Sequence, residues 1–308
     1  MVQKTFGIAG VSLSLALVTS SAVYAQDIAV ITPYLAQPGT QFYVEAFSER
    51  AAELGWDVNV IDTAGDVAAV ISRIEDAVTQ NVDAIVINVD PSQVGAGLAT
   101  AADAGIPVVG MDAGSDPLIV ANVTSNGYAM AAETAVYVAN RIGGEGNVVM
   151  FTFDAFPPVQ VRGVIADAVF GNFPDIDILA RITPDVSDGG IADSRAQMEA
   201  VLAANPQPGS IAAVWAAWDQ PGLGALQAIE DAGRADEGIV ITGIDANPQA
   251  REAIAAGGNF EASVAQDFAG IGRTAADTVA RILAGEEIVQ RAIYVPTVLV
   301  TSANVDTQ

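Results

Sequence analysis

Short apolar runs alternate with longer segments of helical period along almost the whole chain, and this alternation constrains the fold more than any other feature. A strand that is apolar on both faces needs cover above and below. Helices placed between consecutive strands supply it, so the pattern implies βαβ units and parallel sheets. Residues 28–31 read as a strand, 41–54 as a helix stopped by Gly55, 56–61 as a strand, 67–80 as a helix and 84–88 as a central strand. Asp90, Pro91 and Gln93 form a helix start signal. That helix is expected to run to about 104, before a strand over 106–111 and a helix over 128–142. The pattern then restarts, with strands at 147–152, 176–182, 211–216 and 239–244 and helices at 159–170, 193–204, 220–231 and 248–256. Segments 261–265, 270–284 and 292–300 close the chain.

The restart shows in individual residues. Ala102-Asp103-Ala104-Gly105, leading to Gly110-Met111-Asp112, is echoed by Glu230-Asp231-Ala232-Gly233, leading to Gly243-Ile244-Asp245. Each time a helix ends at glycine, a strand follows, and a Gly-apolar-Asp triplet closes it. Two lobes of similar build produce such an echo.

The start of the chain has its own pattern. Lys4 supplies one positive charge, an uncharged and largely apolar run covers 6–18, and Val23 and Ala25 are small residues at the positions a signal peptidase reads. The expectation is a signal peptide over 1–25, cleaved between Ala25 and Gln26, and a periplasmic mature protein of residues 26–308. Gly7, Gly10, Ser12 and Ser14 interrupt the run, which argues against a membrane-spanning helix. With 37 acidic residues, and Lys4 the sole lysine among 12 basic ones, the mature chain carries a net charge of −26. Such a surface repels nucleic acid and anionic lipid.

Absent residue types exclude much chemistry. The mature chain has no His, Cys or Lys, which removes disulfides, thiolate nucleophiles, Schiff bases, His-dependent triads and His or Cys metal sites. No cofactor is implied. Only carboxylate chemistry or a carboxylate metal site survives, and a secreted glycosidase using Asp112 and Asp245 is the enzymatic alternative.

In open α/β sheets, ligands sit outside the carboxyl ends of the strands. The residues there are Tyr34 and Gln37, Asn88, Asp112, Phe153 with Asp154 and Phe156, Trp218 with Asp219, Asp245 with Asn247, and Gln266; Arg162 lies a turn or two inside a following helix. Carboxylates accept hydrogen bonds from hydroxyls, while amides and a guanidinium donate to them. Flat aromatics pack on the C–H face of a sugar ring. Structural roles compete with ligand roles at several positions. Asp90, Asp219 and Asn247 read as helix caps, since Pro or Gln follows each, and Arg162 is equally readable as the partner of a buried carboxylate. Trp215 and Phe151 read as core, Trp218 as the stacking residue, with Phe153 and Phe156 competing for the second face of the ring.

With these residues in place, the chain resembles the ribose-binding-type (type I) periplasmic sugar receptors of ABC transporters. The resemblance runs in order through 28–38, Leu54-Gly55-Trp56, Ile87-Asn88, 106–112, Ser125-Asn126, Val161-Arg162-Gly163, Leu223-Gly224-Ala225-Leu226, Gly243-Ile244-Asp245 and Ala265-Gln266. It implies an α/β fold of two Rossmann-like lobes with parallel sheets, joined by three crossover segments near Asn126, Gln266 and Pro296. The N-terminal lobe would comprise 26–125 plus 267–295, and the C-terminal lobe 126–266 plus 296–308. It also implies a sugar or polyol ligand held by Gln37, Asn88, Asp112, Arg162, Asp245 and Gln266, and an ABC permease, or a chemoreceptor, as partner. A transcription regulator of the same fold would need a DNA-binding segment in place of the signal peptide. Gly39 and Thr40 stand where ribose receptors carry an aromatic pair, so stacking is expected from Tyr34, Phe42 or Tyr43. Ala113 replaces an arginine, Trp218 an asparagine, and the Asp188-Gly189-Gly190 stretch an aromatic. These departures point away from ribose, towards a hexose, a deoxysugar or a linear polyol.

Overall fold

The computed structural model describes residues 1–2 and 25–307, and the apolar run expected to be a signal peptide lies outside the described residues. The first half of the chain forms β1 (Asp27–Thr32), α1 (Pro38–Glu53), β2 (Asp57–Asp62), α2 (Val67–Thr79), β3 (Ala84–Ile87), α3 (Gly95–Asp103), β4 (Val108–Met111) and β5 (Ala121–Ser125). There follow α4 (Gly127–Arg141), β6 (Glu145–Phe151), α5 (Pro157–Phe170), β7 (Asp175–Ile182), α6 (Ile191–Ala204), β8 (Ala213–Ala216), α7 (Asp219–Asp231), β9 (Val240–Asp245), α8 (Pro248–Ala256) and β10 (Phe260–Gln266). The chain closes with α9 (Phe268–Leu283), β11 (Ala292–Val295) and β12 (Thr297–Thr301).

These elements build two six-stranded sheets of the same order, β11-β5-β4-β3-β1-β2 and β12-β10-β9-β8-β6-β7. The neighbours are parallel except β12, which runs antiparallel to β10. Strand chemistry follows sheet position. Central β3 is Ala-Ile-Val-Ile and wholly buried, as a strand with helices on both faces must be. The outer strands β2 and β7 are partly exposed and begin with Asp57 and Asp175, charges that discourage pairing with a further chain. Each sheet carries one apolar core on each face, and α1 with α9 covers one face of the first sheet.

The chain passes between the sheets three times. Asn126 starts α4 by accepting from the Ala129 amide (3.1 Å), and that helix packs on the second sheet. Asp267 starts α9 in the same way, accepting from the Gly270 amide (2.7 Å), and carries the chain back against α1. Pro296 separates β11 in the first sheet from β12 in the second. Each lobe thus contains a helix that follows a strand of the other.

The segment 292–300 divides at Pro296 into two strands in different sheets, and two other expectations are corrected. The helix expected from Asp90 is broken: Asp90 accepts from the Ser92 amide (2.9 Å) and caps a single 3-10 turn, Pro91–Gln93, after which α3 starts at Gly95. Finally, β5 (Ala-Asn-Val-Thr-Ser) is absent from the sequence reading because its polar residues resemble a loop. All five are buried, and Asn122 and Thr124 find partners inside the lobe, in the Ala113 backbone and the Asp112 carboxylate.

Helices α1 and α9 meet at backbone distance through Gly272, where a Cβ would lie 2.2 Å from the Tyr43 carbonyl oxygen and 2.7 Å from the Phe47 nitrogen. Since neither contact is with a side chain that can turn away, Gly272→Ala should separate the helices and cost about 1–3 kcal/mol. Urea unfolding of this variant beside the parent protein measures it, and an unchanged midpoint would contradict the packing described.

Candidate ligand-binding site

Between the sheets lies a cleft of about 580 Å³ with the open space at its mouth included. Its walls come from residues at the carboxyl ends of β1, β4, β6, β7, β8, β9 and β10 or in the segments that follow them, including the first turns of α1 and α5. The first lobe contributes Tyr34, Gln37, Gly39, Thr40, Tyr43 and Asp112, together with Phe268 of α9. The second contributes Phe153, Phe156, Val159, Arg162, Val186, Trp218, Gln220, Asp245 and Gln266.

Arg162 is the cation of this wall. It reaches in from the second turn of α5, is 2% exposed, and donates from Nη1 to the Ala217 carbonyl at 2.8 Å. The same nitrogen stands 3.7 Å from Asp245 Oδ1, an ion pair rather than a hydrogen bond. Asp245 Oδ1 also accepts from Gln266 Nε2 at 2.6 Å. In the other lobe Asp112, 6% exposed, accepts from Thr124 Oγ1 at 2.5 Å.

Burial dominates the ionisation of both carboxyls. Desolvation pushes Asp112 above its ordinary value, against the pull of Arg162 and of the Thr124 hydroxyl. Desolvation likewise lifts Asp245 to about 6, with Arg162 and Gln266 opposing it and the Asp112 charge adding to it. Tyr43, whose hydroxyl pairs with Thr40 Oγ1 at 3.0 Å, is pushed well up by burial and then by Asp112. Burial, with Asp90 nearby, raises Tyr34 to about 12, so both phenols stay protonated.

One wall is aromatic. The Tyr34 ring centroid lies 6.4 Å from that of Phe153 and 5.1 Å from that of Phe156, and Phe153 stands 6.3 Å from Trp218. Tyr34 therefore meets second-lobe rings across the cleft. Two side-chain hydrogen bonds cross it as well, from Gln37 Nε2 to the Val186 carbonyl (3.2 Å) and from Gln93 Nε2 to the Ala155 carbonyl (2.9 Å).

Of the residues singled out in the sequence, Tyr34, Gln37, Asp112, Phe153, Phe156, Arg162, Trp218, Asp245 and Gln266 converge on this cavity. Asn88 does not. It is fully buried behind the wall, where Oδ1 accepts from Thr32 Oγ1 (2.9 Å) and Nδ2 donates to the carbonyls of Met111 (3.1 Å) and Asp112 (2.9 Å). Both hydrogens of its amide are thus spent on the backbone beneath Asp112. Asp154 turns outward to Arg181 (3.8 Å). Asn247 caps α8, accepting from the Ala250 amide (2.9 Å). Asp219, expected to cap α7, is instead its first residue, with Trp218 at the cap position; its carboxylate is buried against the Asn247 amide and the Ser263 hydroxyl. Trp215 is core, its indole N–H on Thr134 Oγ1 (2.9 Å).

Among the aromatics named as alternatives, Tyr43 lines the cavity, whereas Phe42 is 39% exposed and does not. Thr40, Gln220 and Phe268 were missed. Gln220 and Phe268 sit just beyond strand ends, so the strand-end rule applied two residues further would have found them. Gly39 and Phe268 belong together, since a Cβ at Gly39 would lie 2.8 Å from the Phe268 ring. The glycine at this place admits to the wall an aromatic supplied by α9.

Two pseudo-equivalent α/β lobes, crossed three times by the chain and enclosing a polar cleft with aromatic walls, define a solute-binding protein. A family model described as a periplasmic binding protein domain matches residues 28–287, and the chain belongs to that family, among its type I sugar-binding members. It is similar to the D-apiose import binding protein of Actinobacillus succinogenes, 28% identical over 82% of this chain and 81% of that protein. The xylitol-binding protein of Mycolicibacterium smegmatis is 30% identical over 78% of this chain and 67% of its own length. A solved ABC transporter solute binding protein from Agrobacterium vitis, with bound allitol, superposes with a TM-score of 0.85 at 30% identity, covering 92% of this chain and 97% of that one.

Because Asp245 is lifted to about 6 in the folded protein, folding takes up its proton before the unfolded chain does. Stability should therefore be greater below the ordinary carboxylate value near 4 and fall as pH rises through about 6. Urea unfolding at pH 5 and pH 8 should show wild type losing more stability on this rise than Asp245→Asn; equal losses would remove Asp245 as the cause.

Proposed function

We propose that this chain is a periplasmic receptor that captures a monosaccharide or sugar alcohol between its lobes and delivers it to the permease of an ABC importer. The observation that carries this reading is a set of buried polar atoms on cavity residues with no hydrogen-bond partner in the protein: Gln37 Oε1 from the first lobe, and Arg162 Nε and Gln266 Oε1 from the second. A ligand that satisfies them must donate and accept within one small volume and reach both lobes. Hydroxyls do both. Arg162 is already flanked by carboxylates, which disfavours an anionic ligand, and the rings of Trp218, Phe153 and Tyr34 suit the C–H faces of a carbohydrate. The apiose, xylitol and allitol of the relatives are small neutral polyhydroxylated molecules of the kind this cleft suits.

Capture works by closure. A ligand held by Asp112 and Gln37 on one side and by Arg162, Asp245 and Gln266 on the other makes contacts in the closed form that an open form lacks, and that difference shifts the population. The crossovers at Asn126, Asp267 and Pro296 are the hinge. In this role Asp112 and Asp245 accept hydroxyl hydrogens and carry out no bond breaking.

Titration calorimetry against D-apiose, xylitol, allitol, myo-inositol, D-allose and D-ribose tests the reading. One or more should bind saturably and be recovered unchanged. Asp112→Ala and Asp245→Ala should each cost about 2–5 kcal/mol of affinity, as loss of a charged acceptor in a buried contact does. Wild-type affinity should also weaken as pH falls through about 6, because a protonated Asp245 is a poorer acceptor. Absence of binding across the panel, or conversion of the bound sugar, would refute the proposal. The mature protein recovered from the periplasm should begin at Gln26 by intact mass.

A further inference from the structure

The Gly-apolar-Asp triplets at the ends of β4 and β9 share an unusual backbone. Asp112 has φ +51°, Asp245 has φ +123°, and Ala246 follows at +47°. Left-handed geometry in non-glycine residues persists only where the surroundings over-determine it, and such residues gather where a side chain must be aimed.

In the first lobe two neutral amides do the holding. Asn122 accepts from the Ala113 amide (3.0 Å) and donates to the Ala113 carbonyl (2.9 Å), while Asn88 donates to the carbonyls of Met111 and Asp112. Gly110 makes room, since a Cβ there would stand 2.6 Å from Asn122 Oδ1. In the second lobe the place is taken by a carboxylate. Asp219 Oδ2 accepts from the Asn247 amide (2.8 Å), and Oδ1 accepts from Ser263 Oγ (2.6 Å). Ser263 Oγ itself accepts from the Ala246 amide (2.9 Å). Gly243 makes room here, with a Cβ only 2.2 Å from Asp219 Oδ1. The two residues after Asp245 thus have their amides tied, one directly and one through Ser263, to a single carboxylate that is 0% exposed and outside the cavity wall.

We propose that Asp219 is the positioning residue of the second lobe's binding carboxylate: it holds the backbone from Asp245 to Asn247, with Ser263 as relay, in the one conformation that aims Asp245 at the ligand. This rests on the reading that Asp245 accepts ligand hydroxyls. A residue serving only fold stability would have no reason to act through Asp245. The Asp219 carboxylate bonds to Asn247 and Ser263, both outside its own helix. Its carboxyl is also pushed well up, by burial first and then by the Asp245 charge, so the two groups sense one another.

A double-mutant cycle tests the proposal, with the panel compound that wild type binds tightest as probe. Asp219→Ala should weaken binding by at least about tenfold in wild type, but by no more than about twofold in an Asp245→Asn background. Asp219→Asn, which keeps one acceptor for the Asn247 amide, should fall between. Equal losses in both backgrounds, or full affinity in a folded Asp219→Ala protein, would overturn the assignment. Should Asp219→Ala prove unfolded by circular dichroism, Ser263→Ala and Asp219→Asn carry the same cycle with the same expected non-additivity. A wild-type protein that binds none of the panel compounds refutes the receptor reading itself. A wild type that binds, with Asp245→Asn weakened and the cycle additive, refutes the positioning role alone.

Discussion

Arg162 carries a positive charge into the cleft wall while only 2% exposed, and the arrangement of the site follows from how that charge is answered. A buried ion survives only with partners close enough to offset its lost hydration. The Ala217 carbonyl and Asp245 answer from the same lobe, and Asp112, whose ionisation Arg162 favours, answers from the other. Neither carboxylate is neutralised by contact. Asp245 stays 3.7 Å away, and burial still raises both carboxyls. The site is a set of strong donors and acceptors that the protein itself satisfies incompletely, which is the condition for tight and selective binding of hydroxyls.

The matching build of the two lobes explains how each comes to offer one aspartate. Both sheets have the same strand order, both triplets end a strand, and both glycines open space for a buried polar side chain beneath the aspartate. The solutions differ in chemistry, with amides beneath Asp112 and an acid beneath Asp245. Of the two aspartates, Asp245 is the one whose following backbone is tied to an ionisable neighbour, Asp219.

Much of the site could be read in the chain, for a simple reason. Parallel strands deliver their ends to one side, so residues past Thr32, Met111, Phe151, Ala216, Ile244 and Ala265 had to cluster. Asn88 shows the limit of that rule. It follows its strand as Asp112 follows β4, yet the Thr32 hydroxyl and two carbonyls turn it inward. β5 shows another limit. Its buried Asn and Thr violate strand patterning because they bond to the Ala113 backbone and the Asp112 carboxylate beside the cleft, where local rules are expected to break.

The order and type of most elements, the similar build of the two lobes and the lack of thiol and imidazole chemistry were legible in the sequence alone, because periodicity and composition are local properties. Tertiary structure decided which strand-end side chains face the cleft and which support it from behind. That choice depends on left-handed backbone at Asp112 and Asp245, on the space at Gly39, Gly110 and Gly243, and on partners distant in the chain, such as Thr32 for Asn88, 56 residues away. Such contacts exist only once the strands are side by side, and no spacing along the chain records them.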